Sequence, residues 1–254
     1  MANLLSIFQR RRGNSAAAVQ AALPAGTVVH AVGDVHGRSD LLDEVFSRID
    51  RDRADYPDHK AIEIYLGDYV DRGPDSSGVV DRLIARSRDR EVELLRGNHD
   101  AFFVEMLGDA KRLEHWEQLG GVQTMLSYGI KLRANLTPQG HERMHREWCT
   151  AVPQSHRAFF AGLRNSLTIG DYFFVHAGIR PGIALDRQSA DDLLWIREEF
   201  HRSKSDHGKM VVHAHSPVEA PEFHGNRINI DTKAYASGVL TCLRLVGSAR
   251  EIIG

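Results

Sequence analysis

Short apolar runs alternate with longer amphipathic segments in the first half of the chain. Three apolar runs, residues 27–32, 61–66 and 91–95, have the composition and length of buried strands. The intervening segments have helical periodicity and predict helices over residues 39–53, beginning on a serine suited to the N-cap, and 75–88. This order predicts an α/β fold with a β-α-β-α-β unit, in which the loops that follow the strands meet at one sheet edge.

The remainder of the chain divides into a helical part and a β-rich part. Residues 100–165 have helix-like spacing of aromatic and leucine positions, interrupted by glycine and proline, and predict a helical cap. Residues 166–178 predict two strands around a Gly-Asp turn, and residues 210–215, 227–231 and 239–246 predict further strands. The second half is therefore expected to form a separate β-rich layer.

Length and composition fit one globular unit. With 254 residues and 42% hydrophobic composition, the chain can bury a sizeable core, and we predict a single domain over residues 26–254. Residues 1–25 are predicted to be a mobile tail, because their basic run follows a very short apolar run, the reverse of a secretory signal. No apolar run approaches the roughly 18 residues of a membrane span, so we expect a cytoplasmic protein that does not bind membranes.

The bulk charge and the cysteines exclude several classes of protein. A formal charge of −2 provides no general field for nucleic acid or anionic lipid, so we expect neither partner, and any anion must bind at a local site. The two cysteines are far apart, which argues against a disulfide framework or a zinc ribbon. Fourteen histidines are many for this length, and histidine is the commonest metal ligand.

Polar side chains cluster in the three loops that follow the first three predicted strands. The loops, residues 33–37, 67–73 and 97–100, together supply candidate ligands and acid–base groups: Asp34, His36, Asp68, Asp71, Arg72, Asn98 and His99. One such loop alone is ordinary turn chemistry. Three of them at the ends of consecutive strands favour a metal site, and mixed nitrogen and oxygen donors suit manganese, iron or zinc better than calcium.

Two later histidines, His176 and His215, also stand at predicted strand ends. With them, the motifs GDVHG, GDYVDRG, GNHD, VHAG and AHS follow one another in order within residues 27–245. This series resembles the calcineurin-like metallophosphoesterases, and within them the phosphoprotein phosphatase family that includes serine/threonine phosphatases.

The resemblance implies a sandwich of two β-sheets flanked by helices, with two metal ions held by loops at one edge. Carried over to this sequence, it places Asp34 and His36 on the first metal, Asp68 between both, and three residues on the second metal, namely Asn98, His176 and His215. Manganese is the expected ion, with iron or zinc as alternatives. His213 is left outside this set and is interpreted as a core histidine or as a residue behind the ligands.

The resemblance also implies a mechanism in which two metals activate a water molecule for attack on phosphorus. His99 would protonate the leaving group, with Asp71 orienting its ring. Arg72 and Arg197 would hold phosphate oxygens, although Arg197 can also be read as part of a surface helix with i,i+4 charge pairs. Trp195 is expected to pack in the core.

Three functions remain open at this point. Asp71 in the VDRG run favours a serine/threonine protein phosphatase acting on a phosphorylated protein or small phosphoester, and this is the preferred interpretation. Asp100 in GNHD instead favours a symmetrical diadenosine tetraphosphate hydrolase. A noncatalytic module that binds phosphorylated ligands is the third alternative. Lys233 stands where bacterial relatives usually have glycine, and Tyr235 near it is left out of the catalytic set.

Overall fold

Two five-stranded β-sheets lie at the centre of the protein, whose computed structural model describes residues 20–131 and 137–254. The first sheet contains β1 (Thr27–Val32), β2 (Lys60–Tyr65), β3 (Val92–Leu94), β9 (Cys242–Val246) and β10 (Ala249–Ile252). Its strand order is β10-β9-β1-β2-β3. Strands β1, β2 and β3 are parallel, β9 is antiparallel to β1, and β10 is antiparallel to β9. The parallel strands therefore direct their following loops to one edge.

The second sheet is built from the middle of the chain. It contains β4 (Ser166–Ile169), β5 (Tyr172–Val175), β6 (Met210–His213), β7 (Glu222–Phe223) and β8 (Arg227–Asn229). The order is β4-β5-β6-β8-β7, and β5, β6 and β8 are parallel. The strand predicted over residues 239–246 does not belong to this layer, because β9 pairs with β1 in the first sheet.

The main core lies between the sheets and follows the alternation of side chains along each strand. Val29 and Ala31 of β1 face the second sheet, whereas Val32 packs under the helices on the outer side. Phe174 and Val212 contribute from the second sheet to the same inner cluster. Packing of the two inner faces gives a β-sandwich, so the predicted sandwich with flanking helices is confirmed.

Helices cover both outer faces of the sandwich. Their bounds are α1 Ser39–Arg53, α2 Ser76–Asp89, α3 Asn98–Gly108, α4 Leu113–Trp116, α5 Val122–Ser127, α6 Pro138–Ala151, α7 Gln154–Ala161, α8 Ala190–Trp195, α9 Glu198–Arg202 and α10 Ala234–Ser237. The N-cap of α1 is Arg38 rather than the predicted Ser39, whose hydroxyl instead donates to Asp75. Asp75 caps α2 by accepting from Gly78 N–H.

Helices α3 to α7 form the cap predicted over residues 100–165, of which residues 132–136 lie outside the described part of the chain. An aromatic cluster holds the cap together. The Trp116 and Trp148 ring centroids are 4.9 Å apart, and Phe103 stacks on Phe160 at 4.0 Å. The cap packs on α2, which brings α4 and α5 next to the loop that follows β2.

The chain is already packed before residue 26. Leu23 is buried, and its N–H donates to Gly247 O at 2.8 Å. The earlier part of the predicted N-terminal tail, residues 1–19, lies outside the described residues. Within the described part of the chain, every helix is too short or too polar to cross a membrane.

Candidate active site

The loops after β1, β2 and β3 are joined by backbone hydrogen bonds at the edge of the first sheet. His36 N–H donates to Asp68 O at 2.8 Å and Gly37 N–H donates to Tyr69 O at 3.0 Å. His99 N–H donates to the Asp68 carboxylate at 2.9 Å. These bonds hold the polar side chains of all three loops in one place, as the β-α-β-α-β pattern predicts.

Much of the site has a strained backbone. Left-handed conformations, with φ between 44° and 71°, occur at His36, Asp68, Asp71, Arg72 and His215. Residues with a Cβ rarely adopt such angles, and they persist where the surrounding structure enforces them. The surrounding fold therefore holds these residues in strained backbone conformations, which point their side chains toward the edge of the first sheet.

Asp68 lies between two groups of side chains that can hold metal ions. One group contains Asp68, His36 and His99, and the other contains Asp68, His176 and His215. Asp68 Oδ2 is 3.5 Å from both His36 Nε2 and His176 Nε2. A carboxylate in this position can bridge two ions.

Asn98 and Asp34 complete the cluster of predicted ligands. Asn98 Oδ1 is 3.0 Å from His176 Nε2 and 2.9 Å from His215 Nδ1. Asp34 Oδ1 is 3.6 Å from the ring of His176, and all six predicted ligands are buried. The structure thus brings together the six residues that the sequence singled out.

The tautomers of two histidines leave ligand lone pairs pointing into the site. His36 Nδ1 donates to Val70 O at 2.8 Å, and His176 Nδ1 donates to Leu66 O at 2.9 Å, so Nε2 of each ring carries the lone pair. Burial lowers the pKa of His36 to about 3, and burial likewise lowers the pKa of His215. Both rings are neutral at physiological pH, which is the form that binds metals.

The residues fit a pair of cations. Asp34 Oδ1 and His215 Nε2 are buried without a hydrogen-bond partner. Burial, followed by the charges of Asp231 and Asp68, raises the pKa of Asp34 well above the ordinary carboxyl value. Buried carboxylates that crowd one another need a compensating positive charge, and mixed oxygen and nitrogen donors suit transition metals.

His99 and Asp71 form a buried hydrogen-bonded pair beside the metal ligands. His99 Nδ1 donates to Asp71 Oδ2 at 2.7 Å. Burial alone would lower the pKa of His99, but the carboxylates of Asp68 and Asp71 outweigh it and raise that pKa above the ordinary histidine value. The two carboxylates thus stabilise the protonated ring, the form that can give a proton, relative to the neutral one.

Arg72 lies between the acid pair and the ligands. Its Nη1 donates to His36 Nε2 at 2.7 Å and its Nη2 donates to His99 Nε2 at 2.9 Å. The guanidinium stacks on the ring of Tyr235, 4.9 Å from the centroid, and that ring is 5.3 Å from the His36 ring. The Arg72 guanidinium therefore lies beside both His36 and His99, where it can bind phosphate oxygens.

Arg197 lies at the rim of the site, outside the interior of a helix. It is the exposed N-cap of α9, and its charge contributes to the lowered pKa values of His176 and His215. Arg197 thus lies exposed at the start of a surface helix, as the alternative interpretation expected, and its binding of phosphate oxygens stays a prediction.

The structure also shows where Trp195 and His213 lie. Trp195 was expected in the core, but 45% of it is exposed, and its ring lies 6.3 Å from that of His215. The prediction was wrong because Leu193 and Leu194 are the residues of α8 that are buried. His213 is fully buried on β6, and its Nδ1 donates to Ala214 O at 3.1 Å, outside both ligand groups.

Asp231 is a site residue that the sequence reasoning missed. It follows β8, is buried, and its pKa is raised to about 6, chiefly by burial and with a further contribution from Asp68. Its signal in the sequence is the one that identified the three loops, a polar residue directly after an apolar strand.

Asp100 has a structural task that its motif does not reveal. Its carboxylate accepts N–H bonds from Gly97 at 2.8 Å, Asp68 at 2.8 Å and Tyr69 at 2.9 Å. These bonds fasten the third loop to the second. Asp100 therefore has a structural role in the site whichever phosphoester binds.

Comparison with known proteins gives consistent matches. The sequence profile of the calcineurin-like phosphoesterase family matches residues 27–241. The asymmetrical bis(5'-nucleosyl)-tetraphosphatase PrpE of Geobacillus thermodenitrificans is 27% identical, with 85% of this chain and 89% of that protein covered. A symmetrical bis(5'-nucleosyl)-tetraphosphatase of an Acidovorax species is 29% identical over 60% of this chain and 44% of that protein. A solved structure provisionally described as a diadenosine tetraphosphatase has a TM-score of 0.62 at 18% identity, covering 92% of this chain and 97% of that one, which shows a shared fold.

Proposed function

The chain belongs to the calcineurin-like phosphoesterase family and is a metal-dependent hydrolase of phosphoric esters, and from this premise we propose that it is a phosphomonoesterase acting on phosphoserine and phosphothreonine. The observation that carries the choice of ester is the buried pair of His99 and Asp71. A protein side chain or a small alkyl phosphate would be the substrate.

The proposal assigns the ligands as two overlapping sets. Asp34 and His36 would hold one ion, Asp68 would be shared, and the other ion would be held by Asn98, His176 and His215. When bound, two such ions lower the pKa of a water molecule and neutralise charge on phosphate oxygens. Manganese is the proposed ion, and the same donors also suit iron or zinc.

The acid pair suits a leaving group that is a strong base. Serine and threonine depart as alkoxides, which require a proton as the bond to phosphorus breaks. His99 Nδ1 is engaged with Asp71, so Nε2 is the atom that would deliver this proton. In the structure that nitrogen accepts from Arg72. When Arg72, together with Arg197, binds the oxygens of the phosphate instead, Nε2 becomes free to carry the proton that it delivers.

A second candidate is hydrolysis of a dinucleoside tetraphosphate. It is favoured by relatives of that name, one of which matches 85% of this chain. Cleavage of a phosphoanhydride releases a weakly basic nucleotide phosphate, which needs little protonation, so an elaborate acid pair gives less benefit there. A noncatalytic binding module has less support, because the sequence retains every residue that this proposal assigns to metal binding, acid catalysis and phosphate binding.

The discriminating experiment uses manganese-loaded protein with a phosphoserine/phosphothreonine peptide and, separately, diadenosine tetraphosphate. We expect peptide hydrolysis to fall by about 10²–10⁴-fold in His99→Asn, with a large loss in Asp71→Asn as well. Metal content, measured on each variant, serves as the control and should equal that of the unaltered protein.

Other results would assign another function. Preference for the dinucleotide, with little effect of Asp71→Asn, would identify the second candidate. The nucleotide products would then separate symmetrical cleavage, which gives two ADP, from asymmetrical cleavage, which gives ATP and AMP. If the protein hydrolyses neither substrate, a noncatalytic module that binds phosphorylated ligands becomes the best interpretation.

A further inference from the structure

The helical cap supplies two hydrogen-bond donors to the carboxylate of Asp71. Trp116 Nε1 lies 3.1 Å from Oδ1 and 3.0 Å from Oδ2, and Thr124 Oγ1 donates to Oδ1 at 2.7 Å. All three residues are fully buried. Thr124 thus binds Oδ1, Trp116 Nε1 is shared between both oxygens, and Oδ2 also accepts from His99.

The single hydroxyl proton of Thr124 is committed to this contact. Thr124 Oγ1 accepts from Asp71 N–H at 2.8 Å and lies 2.9 Å from Ser76 Oγ. Because a carboxylate only accepts, the Thr124 proton is directed to Asp71 Oδ1, and Ser76 Oγ is then the donor in its contact with Thr124. In a buried site such a fully used network fixes one orientation of the carboxylate.

The chain between these two residues is shaped around the loop that contains Asp71. Residues Glu117–Gly121 join α4 to α5 through a kink at Gly120, whose φ of 103° is not helical. Gly120 O accepts from Arg72 N–H at 3.1 Å, and a Cβ at Gly120 would lie 2.9 Å from Arg72 Cγ. A Cβ at Gly121 would lie 2.4 Å from the Trp116 indole.

We propose that Trp116 and Thr124 are positioning residues. They hold the Asp71 carboxylate in the orientation in which it accepts from His99, so the helical cap determines whether His99 can act as the acid. The inference rests on the proposed function, in which His99 protonates the leaving group. Neither residue touches the substrate; both act through the Asp71 carboxylate. Without one donor, the buried carboxylate loses one of the hydrogen bonds that fix its orientation and can rotate away from His99 Nδ1.

The kinetic test compares two leaving groups in three variants. Thr124→Val removes the hydroxyl at nearly constant shape, Thr124→Ser keeps it, and Trp116→Phe removes the indole donor. With a phosphoserine peptide we expect kcat to fall at least about tenfold more than with p-nitrophenyl phosphate, whose leaving group needs little protonation, in Thr124→Val and Trp116→Phe. Thr124→Ser should retain the ratio of the unaltered protein. Equal losses on both esters would overturn the proposal.

A second readout does not depend on turnover. In zinc-loaded protein, the His99 Nδ1–H proton bonded to Asp71 should give a low-field proton NMR resonance, assigned by its loss in His99→Asn. We expect this resonance to move upfield or broaden by exchange in Thr124→Val and Trp116→Phe, and to persist in Thr124→Ser.

The two readouts separate the two hypotheses. If the unaltered protein hydrolyses neither monoester, the proposed function fails, while the NMR comparison still decides whether the cap positions the pair. An unchanged resonance in Thr124→Val would overturn the positioning role whatever the activity. Should Trp116→Phe fail to fold, the valine and serine variants at position 124 decide the matter alone.

Discussion

At the scale of single residues, backbone strain is concentrated where side chains face the site. Six non-glycine residues of the described chain have positive φ, and five of them belong to the candidate site. The sixth is Lys233, the N-cap of α10, with φ 57° and ψ 48°. Its ammonium lies 5.9 Å from the centroid of the Tyr235 ring. Glycine adopts such a left-handed backbone without strain, whereas a residue with a Cβ rarely does.

The strain at Lys233 can be measured with a matched pair of substitutions. Lys233→Gly and Lys233→Ala both remove the cation near Tyr235, but only glycine relieves the left-handed conformation. We expect the glycine variant to be more stable to urea than the alanine variant by about 1 kcal/mol. Equal midpoints for the two variants would show that this backbone position is not strained.

At the scale of elements, the turn between α4 and α5 connects the cap to the catalytic loop. Gly120 combines a positive φ with close contact to Arg72, whereas Gly129 has a positive φ of 79° and nothing within 4 Å of an added Cβ. An added Cβ at Gly129 would therefore cost stability through the backbone angle alone, whereas at Gly120 it would also clash with Arg72.

Alanine substitutions at Gly120 and Gly129 test these two effects separately. Gly129→Ala should be destabilised by about 1 kcal/mol, since it introduces only the strained angle. Gly120→Ala should lose more stability and also slow phosphoester hydrolysis, because the new methyl group displaces Arg72. Denaturant melts and initial rates test both statements. Normal activity in Gly120→Ala would contradict the importance of this contact.

An ion pair anchors α8 to the loop that follows β5. Arg180 Nη2 donates to Asp192 Oδ1 at 2.6 Å, and this hydrogen bond lowers the pKa of Asp192 in the folded protein. A lowered folded-state pKa stabilises the fold above the ordinary carboxyl pKa, about 3.9, and the stabilisation is lost as the pH falls below it.

The pH dependence of this pair is directly testable. Asp192→Asn should lower the free energy of unfolding at pH 7 by no more than about 1 kcal/mol, because Arg180 is half exposed and solvent screens the pair. The difference from the unaltered protein should shrink below pH 4. A difference that stays constant down to pH 3 would show that the charge of Asp192 is not its cause.

At the scale of the whole molecule, the candidate ligands connect the two sheets. Asp34, Asp68 and Asn98 come from loops of the first sheet, and His176 and His215 follow strands of the second. A cation bound among them would join both layers and bind only the folded chain. Metal should therefore stabilise the entire sandwich rather than one loop.

Thermal unfolding with and without metal tests this coupling. We expect the melting temperature to rise with manganese concentration and to fall on chelation, with a gain of about 2.7 kcal/mol at a hundredfold excess over the dissociation constant. Asp68→Asn should abolish most of this dependence, whereas Asp58→Asn, at an exposed position, should retain it. A metal-independent melting temperature in the unaltered protein would argue against a metal site across the sheets.

The sequence by itself determined the elements and groups whose signals are local. Hydrophobic periodicity placed α1 at residues 39–53, where the structure has it, and β1 at residues 27–32. Apolar strands followed by Gly-Asp or Gly-Asn identified the loops that meet at one sheet edge, because parallel strands order their ends in this way.

Only the tertiary structure decided the features that depend on contacts distant along the chain. The β9 strand pairs with β1 although some two hundred residues separate them, so no local pattern assigns it to the first sheet. Trp116 and Thr124 reach Asp71 across 45 and 53 residues of sequence. Burial and hydrogen bonding at Asp71 arise from the packing of the cap onto α2, which periodicity cannot reveal, because it records which face of an element is apolar and not which partner covers that face.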